Sequence, residues 1–157
     1  MTLKKTKTKK KRIKAPYKQG VFDPSEPDKY TGIRPIVYRS GLELSFFRWC
    51  DRNNKILEWS SESVVLPYVS PKDGRVHRYF VDGTVKLQTA SEVKKYLIEI
   101  KPSKQTVPPK QHGNKKKSTL LYEQIQWATN SAKWKAAQAW CKKNNYKFLI
   151  LTEKDLR

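Results

Sequence analysis

Apolar positions in the segment SGLELSFFRWCDRNN, residues 40–54, recur at helical spacing: Leu42, Phe46, Trp49 and Cys50 share one face. Ser40 suits the N-cap and Asn53-Asn54 the stop. Ser40-Gly41-Leu42-Glu43 is also a capping box, which predicts the Glu43 carboxylate returning to the backbone N–H of Ser40. Short apolar runs follow at 56–59 and 64–69, the second leading into a turn at SPKDG, 70–74. Arg75–Leu87 and Val93–Lys101 then read as two strands of a hairpin around QTASE. Residues 102–117 form a Pro- and Lys-rich loop. A helical pattern runs from Ser118 to about Asn145, with a break near Asn130; Trp134, Ala137 and Cys141, at i, i+3 and i+7, mark its core face. YKFLIL, 146–151, reads as a buried strand, and Pro24, Pro27, Pro35, Gly20 and Gly32 make 19–35 an extended, turn-rich lead-in. Helix, several strands, helix and strand in that order predict an α/β or α+β layer architecture around one central sheet.

Composition narrows the partners. At 157 residues the chain has room for one domain with a modest core, bulked by 5 Trp, 8 Tyr and 5 Phe. Against 14 Asp+Glu stand 34 Lys+Arg, a net charge of +20, so polyanions are the expected partners, nucleic acid first and an acidic membrane surface second. The sequence has neither an apolar run long enough for a membrane-spanning helix nor the apolar stretch of a signal peptide. Residues 1–18 hold nine Lys or Arg and no acid, the composition of an arm that is disordered when free and contacts phosphates. The expected division is a basic, extended or disordered arm over 1–35 and a folded domain over 36–157. Cys50 and Cys141 fit a reduced compartment, and with His77 and His112 they match no zinc-finger spacing.

Chemistry enters where the apolar pattern breaks. In YLIEIKP, 96–102, Glu99 and Lys101 interrupt a strand and share a face with Leu97, while Ile98 and Ile100 take the other. With a four-residue turn at Thr89–Glu92, Gln88 faces Val93 and Asp82 comes opposite Glu99, their Cβ atoms ~5 Å apart, where like charges destabilise a sheet. A slip of one residue would part them. Two facing carboxylates are accommodated by a shared proton or by a divalent cation such as Mg²⁺, which takes oxygen ligands and keeps positions for water and phosphate oxygens. With the Lys101 ammonium beside them, the set suits phosphodiester hydrolysis, in which a metal activates water and positive charge meets the transition state.

Asp82 followed by Glu99-Ile100-Lys101 resembles the PD-(D/E)XK signature of restriction-endonuclease-like nucleases, with Val81 where that signature has Pro. A longer resemblance runs through IVYRSGLELSFFRWCD (36–51), WSSE (59–62), PYVSPKDGRVHRYFVD (67–82), YLIEIKPSKQT (96–106) and KWKAAQAWCKKNNYKFLILTEKDL at the end. It is similar to the head-completion nucleases of large contractile-tailed bacteriophages, which resemble the transposon endonuclease TnsA in its catalytic half. The resemblance implies a restriction-endonuclease-like α/β core with a mixed sheet flanked by helices. It also implies a DNA endonuclease dependent on Mg²⁺ or Mn²⁺, acting with phage head or neck proteins late in virion assembly, in the host cytoplasm or on the virion and at no membrane. It assigns Asp82 and Glu99 as metal ligands, Glu43 as a third, and Lys101 as the group that orients the attacking water and steadies developing charge. The alternative is a DNA-binding structural component of the phage neck without catalysis.

Around that set, Arg78 shares the face of Asp82 in a continuous strand and is a candidate phosphate contact, whereas His77 points the other way. Lys104, Lys115, Lys116 and Lys117 are candidate DNA contacts in the loop after the motif strand, and Gln105 and Thr106 are placed near the site by the resemblance.

Overall fold

A computed structural model describes residues 19–156; the basic arm over 1–18 lies outside the described residues. Strand β1 (Gly20–Phe22) pairs with β2 (Ile36–Tyr38), and α1 spans Gly41–Arg52. Then come β3 (Ile56–Ser61), β4 (Val65–Val69), β5 (Val76–Phe80), β6 (Gly83–Gln88), β7 (Val93–Ile100), α2 (Lys117–Asn144) and β8 (Lys147–Leu151). The central sheet has the order β3-β6-β7-β8, antiparallel except for the parallel β7–β8 pair, and is therefore mixed. β4 and β5 form a separate antiparallel hairpin. None of the described helices is long and apolar enough to cross a membrane.

Both faces of the sheet are covered. On one, Phe46, Phe47 and Cys50 of α1 meet Trp59, Val85, Ile98 and Ile100. On the other, Leu97 and Val81 pack with Ala137 and Cys141 of α2 and with Leu66 and Tyr79 of the β4–β5 hairpin. The alternation in β7 thus sends Ile98 and Ile100 towards α1, and Leu97, Glu99 and Lys101 towards α2. The two cysteines are free thiols in different clusters.

Four elements differ from the sequence pattern. The strand expected over 75–87 is split at Val81–Asp82 into β5 and β6, which belong to different sheets. There Val81 N donates to Val64 O and Glu62 N to Asp82 O, and Gly83 passes so close to the Phe46 ring that a Cβ would sit 2.7 Å from it. The break expected near Asn130 does not occur: α2 is continuous, because Thr129 and Ser131 bond back to the carbonyls of Ile125 (2.9 Å) and Trp127 (2.8 Å) within the helix. It ends at Asn145 in the left-handed region, φ 58°. The strand expected to be buried at 146–151 is the edge strand β8, with Leu149 exposed.

The fourth difference is the lead-in. Residues 20–35 pack with the domain: Tyr30 is buried edge-on against Trp59 with ring centroids 4.7 Å apart, and Phe22 joins the same cluster. Its short 3-10 turn, Pro27–Lys29, is held by the buried carboxylate of Asp51, which accepts from Ser25 N and Glu26 N at 2.9 Å. An acid at the end of a helix reads as solvated charge and gave no hint of that anchoring role.

Candidate active site

The hairpin register is the one expected. Gln88 pairs with Val93, Gly83 with Ile98, and Thr89 N donates to Glu92 O at 2.8 Å to close the turn. Asp82 stands one residue before β6, at the end of the ladder beside Glu99. Its Oδ2 accepts from the backbone N–H of Ile100 at 2.7 Å, and no described residue donates to its other oxygen. Burial pushes the Asp82 carboxyl well up, the charge of Glu99 adds to the rise, and that of Glu43 acts the same way as a smaller influence. The amide of Ile100 and the Lys101 ammonium oppose the shift without cancelling it.

Glu99 is buried on the α2 side of the sheet. Its Oε1 faces Lys101 Nζ at 3.2 Å, and its Oε2 accepts from the Tyr79 hydroxyl. Burial, and then the neighbouring Glu99 charge, raise the Tyr79 phenol far above its ordinary range, so it is a fixed donor. Against the Tyr79 ring lies Lys133 of α2, its Nζ 5.6 Å from the ring centroids of both Tyr79 and Tyr68. Burial and the positive charge of Lys101 lower the Lys133 ammonium, and Glu99 and Asp82 act in the opposite direction. The site therefore brings together two carboxylates, two amines and a phenol. Neither Tyr79 nor Lys133 was marked by sequence reasoning. One signal was available: Lys133 lies four residues before Ala137, on the side of α2 that carries the buried face.

Glu43 sits in the first turn of α1. Ser40 Oγ accepts from Glu43 N at 3.1 Å, as the capping box requires. The reciprocal bond differs from expectation: Glu43 Oε2 accepts from Arg39 N at 2.7 Å, one residue before the cap. Among the described residues no three His, Cys, Asp or Glu side chains converge closely enough to enclose an ion. Glu43 thus stands near Asp82 without closing a three-ligand cage.

The remaining candidates scatter. Arg78 is exposed on β5 with its guanidinium over the Phe80 ring at 5.5 Å, and the break after β5 removes the parity that linked it to Asp82. His77 pairs with Asp73 at 2.8 Å near the hairpin tip. Lys104 and Gln105 line a cleft of about 1070 Å³ between the 102–116 loop and α2, whose inner wall includes Lys101 and Lys133. The Thr106 hydroxyl donates to Ser103 O and closes the turn there. Glu153 accepts from the Ser103 hydroxyl and N–H, which hold its carboxyl down at about 2 and tie the loop to the end of β8. Lys115 lines the same cleft in an ion pair with Glu123 at 2.9 Å. Lys116 and Lys117 are exposed at the start of α2 and do not line the cleft.

Residues 53–153 match the family described as TnsA-like endonuclease N terminal. A second similarity covers more of the chain: it is 40% identical over 142 residues to the head completion nuclease of Enterobacteria phage T4, 88% of this chain and 93% of that protein. The chain belongs to the TnsA-like endonuclease family. Its mixed sheet flanked by α1 and α2 is the restriction-endonuclease-like core, and it is an endonuclease. The family match contains Asp82, Glu99 and Lys101; Glu43 precedes it and falls within the longer similarity.

Proposed function

We propose that this endonuclease hydrolyses DNA phosphodiester bonds at the Asp82–Glu99–Lys101 site with Mg²⁺ or Mn²⁺, during completion of phage heads. One observation carries the reading: Asp82 and Glu99 are set side by side at the end of a hairpin ladder, with Lys101 3.2 Å from Glu99, although the pair raises the Asp82 carboxyl. That is a structural cost without a packing reason. The donor set fits a hard dication. It offers two carboxylates, one with an oxygen that receives no hydrogen bond from the described residues, and Mg²⁺ binds through one or two carboxylates while retaining waters and phosphate oxygens. Asp82 and Glu99 would hold the ion, with Glu43 nearby as the candidate third ligand; when bound, the ion would polarise the phosphate and acidify the attacking water.

The chain's own groups do the rest. Lys101, buttressed by Glu99, orients the water and meets the charge that develops on the phosphoryl oxygens. Tyr79 fixes the second oxygen of Glu99, so the carboxylate does not rotate away from Asp82. Lys104, Lys115, Lys116, Lys117 and Arg78, with the basic arm, supply phosphate affinity without reading bases. Phage head or neck proteins are the partners, and the host cytoplasm and the virion are the places of action. The catalytic unit is 36–157, and the lead-in braces it.

Purified protein incubated with linear and circular DNA tests this reading. Cleavage of both is expected with Mg²⁺ or Mn²⁺ and none with chelator; undiminished cleavage in chelator, or none in any condition, would refute it.

Glu43 separates its two roles. Gln still accepts from Arg39 N, so Glu43→Gln should keep the stability of α1, whereas Glu43→Ala should lose about 0.5–2 kcal/mol, as for a typical cap. Both should lose most activity. Chemical denaturation and a cleavage assay check this, and a Glu43→Gln protein as active as the parent would make Glu43 a cap alone.

A further inference from the structure

The cleft beside the carboxylates has more in it than phosphate binding needs. Five lysines line it (Lys101, Lys104, Lys110, Lys115 and Lys133) against one acid, Glu123, which Lys115 neutralises. With Lys101 paired to Glu99 and Lys115 to Glu123, the charges of Lys104, Lys110 and Lys133 remain to favour an anion. Yet its walls also carry base-sized apolar surfaces: Tyr122 and Trp127 on α2 face a cleft whose loop side includes Pro108 and Pro109. Tyr122 is 62% exposed, so its ring is not there to fill the core. The ring is also steadied, because Gln126 Nε2 donates to its hydroxyl at 3.1 Å. The loop wall is fixed as well: Lys115 Nζ donates to Lys110 O at 2.7 Å and to Glu123 at 2.9 Å, and Gln111 Nε2 donates to Lys115 O. The cleft is thus a preformed groove.

Duplex DNA presents phosphates and groove edges and hides its base faces in the stack. An exposed Tyr122 ring and a half-buried Trp127 set among lysines match the opposite case, a strand whose base faces are free. We propose that this cleft binds an unpaired DNA strand leading to the scissile phosphate, with bases stacked on Tyr122 and Trp127 and the backbone met by Lys104, Lys110 and Lys133. The substrate class is then DNA in which a single strand adjoins a duplex, such as a tailed, flapped or gapped end. This rests on the nuclease reading for the position of the scissile phosphate at Lys101, but the binding itself does not need cleavage.

The test is fluorescence anisotropy with the full chain in chelator, using a blunt duplex, the same duplex with a 3′ or a 5′ single-stranded tail, and the single strand alone. Tailed and single-stranded DNA should bind more tightly than an equal length of blunt duplex. Tyr122→Ala should weaken tailed and single-stranded binding by about 5- to 100-fold, the effect of losing one stacked base, and leave the blunt duplex unchanged. Tyr122→Phe, which keeps the ring, should bind like the parent. Equal losses on blunt and tailed DNA, or no loss on either, would overturn the proposal; the second result would point to a protein segment as the occupant. Failure of the nuclease reading looks different: no cleavage with Mg²⁺, whatever the tail preference in chelator.

Discussion

Asp82→Asn should cut DNA at least ~100-fold more slowly than the parent, because the polarising and acidifying chemistry of the proposed metal would depend on that ligand, while folding at least as well. The stability half follows from linkage. Burial and Glu99 raise the Asp82 carboxyl in the folded chain. The folded state then holds a proton that the unfolded state has released, so stability falls as pH rises from the ordinary carboxylate range through the raised folded value. Asn carries no such charge, and its side-chain oxygen still accepts from Ile100 N. In chelator near neutral pH the variant should therefore match or exceed the parent in denaturant midpoint, and the gap should close as pH is lowered. DNA affinity should stay, since the lysines are untouched. A variant that unfolds at neutral pH, or that cleaves normally, contradicts this assignment.

Lys101→Ala should be nearly as inactive for a different reason. It removes one positioned charge from the transition state, an effect of a few kcal/mol or roughly 10²- to 10³-fold in rate, but no proposed metal ligand. It also strips Glu99 of its ion-pair partner. Breaking a fully buried pair costs about 3–5 kcal/mol; Lys101 is 25% exposed, so the loss should fall below that range. Part of it should return on adding Mg²⁺, because a bound cation replaces the lost ammonium beside Glu99. Stability that ignores Mg²⁺ in this variant would place the ion elsewhere.

Much of the site was legible because it lies in one hairpin. The four-residue turn fixes the register, the register sets Asp82 beside Glu99, and period 2 puts Lys101 on the same face. Alternation within β7 likewise separated Ile98 and Ile100 from Leu97 and Glu99. What the local pattern missed is non-local. At the split between β5 and β6, Phe46 of α1 packs against Gly83, a contact across 37 positions of chain that no window of residues contains. That split displaced Arg78 from the face of Asp82 and brought Tyr79 onto Glu99. Lys133 was hidden because a lysine in a basic helix looks like solvated charge until Tyr68 and Tyr79 are seen beneath it. The uninterrupted α2 was obscured by Thr129, Asn130 and Ser131, whose polarity suggests a stop but whose hydroxyls bond within the helix.

The proposed divalent-metal site at Asp82 and Glu99 can be probed apart from cleavage. The most direct measurement is calorimetric titration of Mg²⁺, at millimolar concentration and neutral pH, into the parent, Lys101→Ala and Asp82→Asn. A saturable heat is expected for the parent and for Lys101→Ala, and none above dilution for Asp82→Asn. The same heat in all three proteins, or none in the parent, would contradict it.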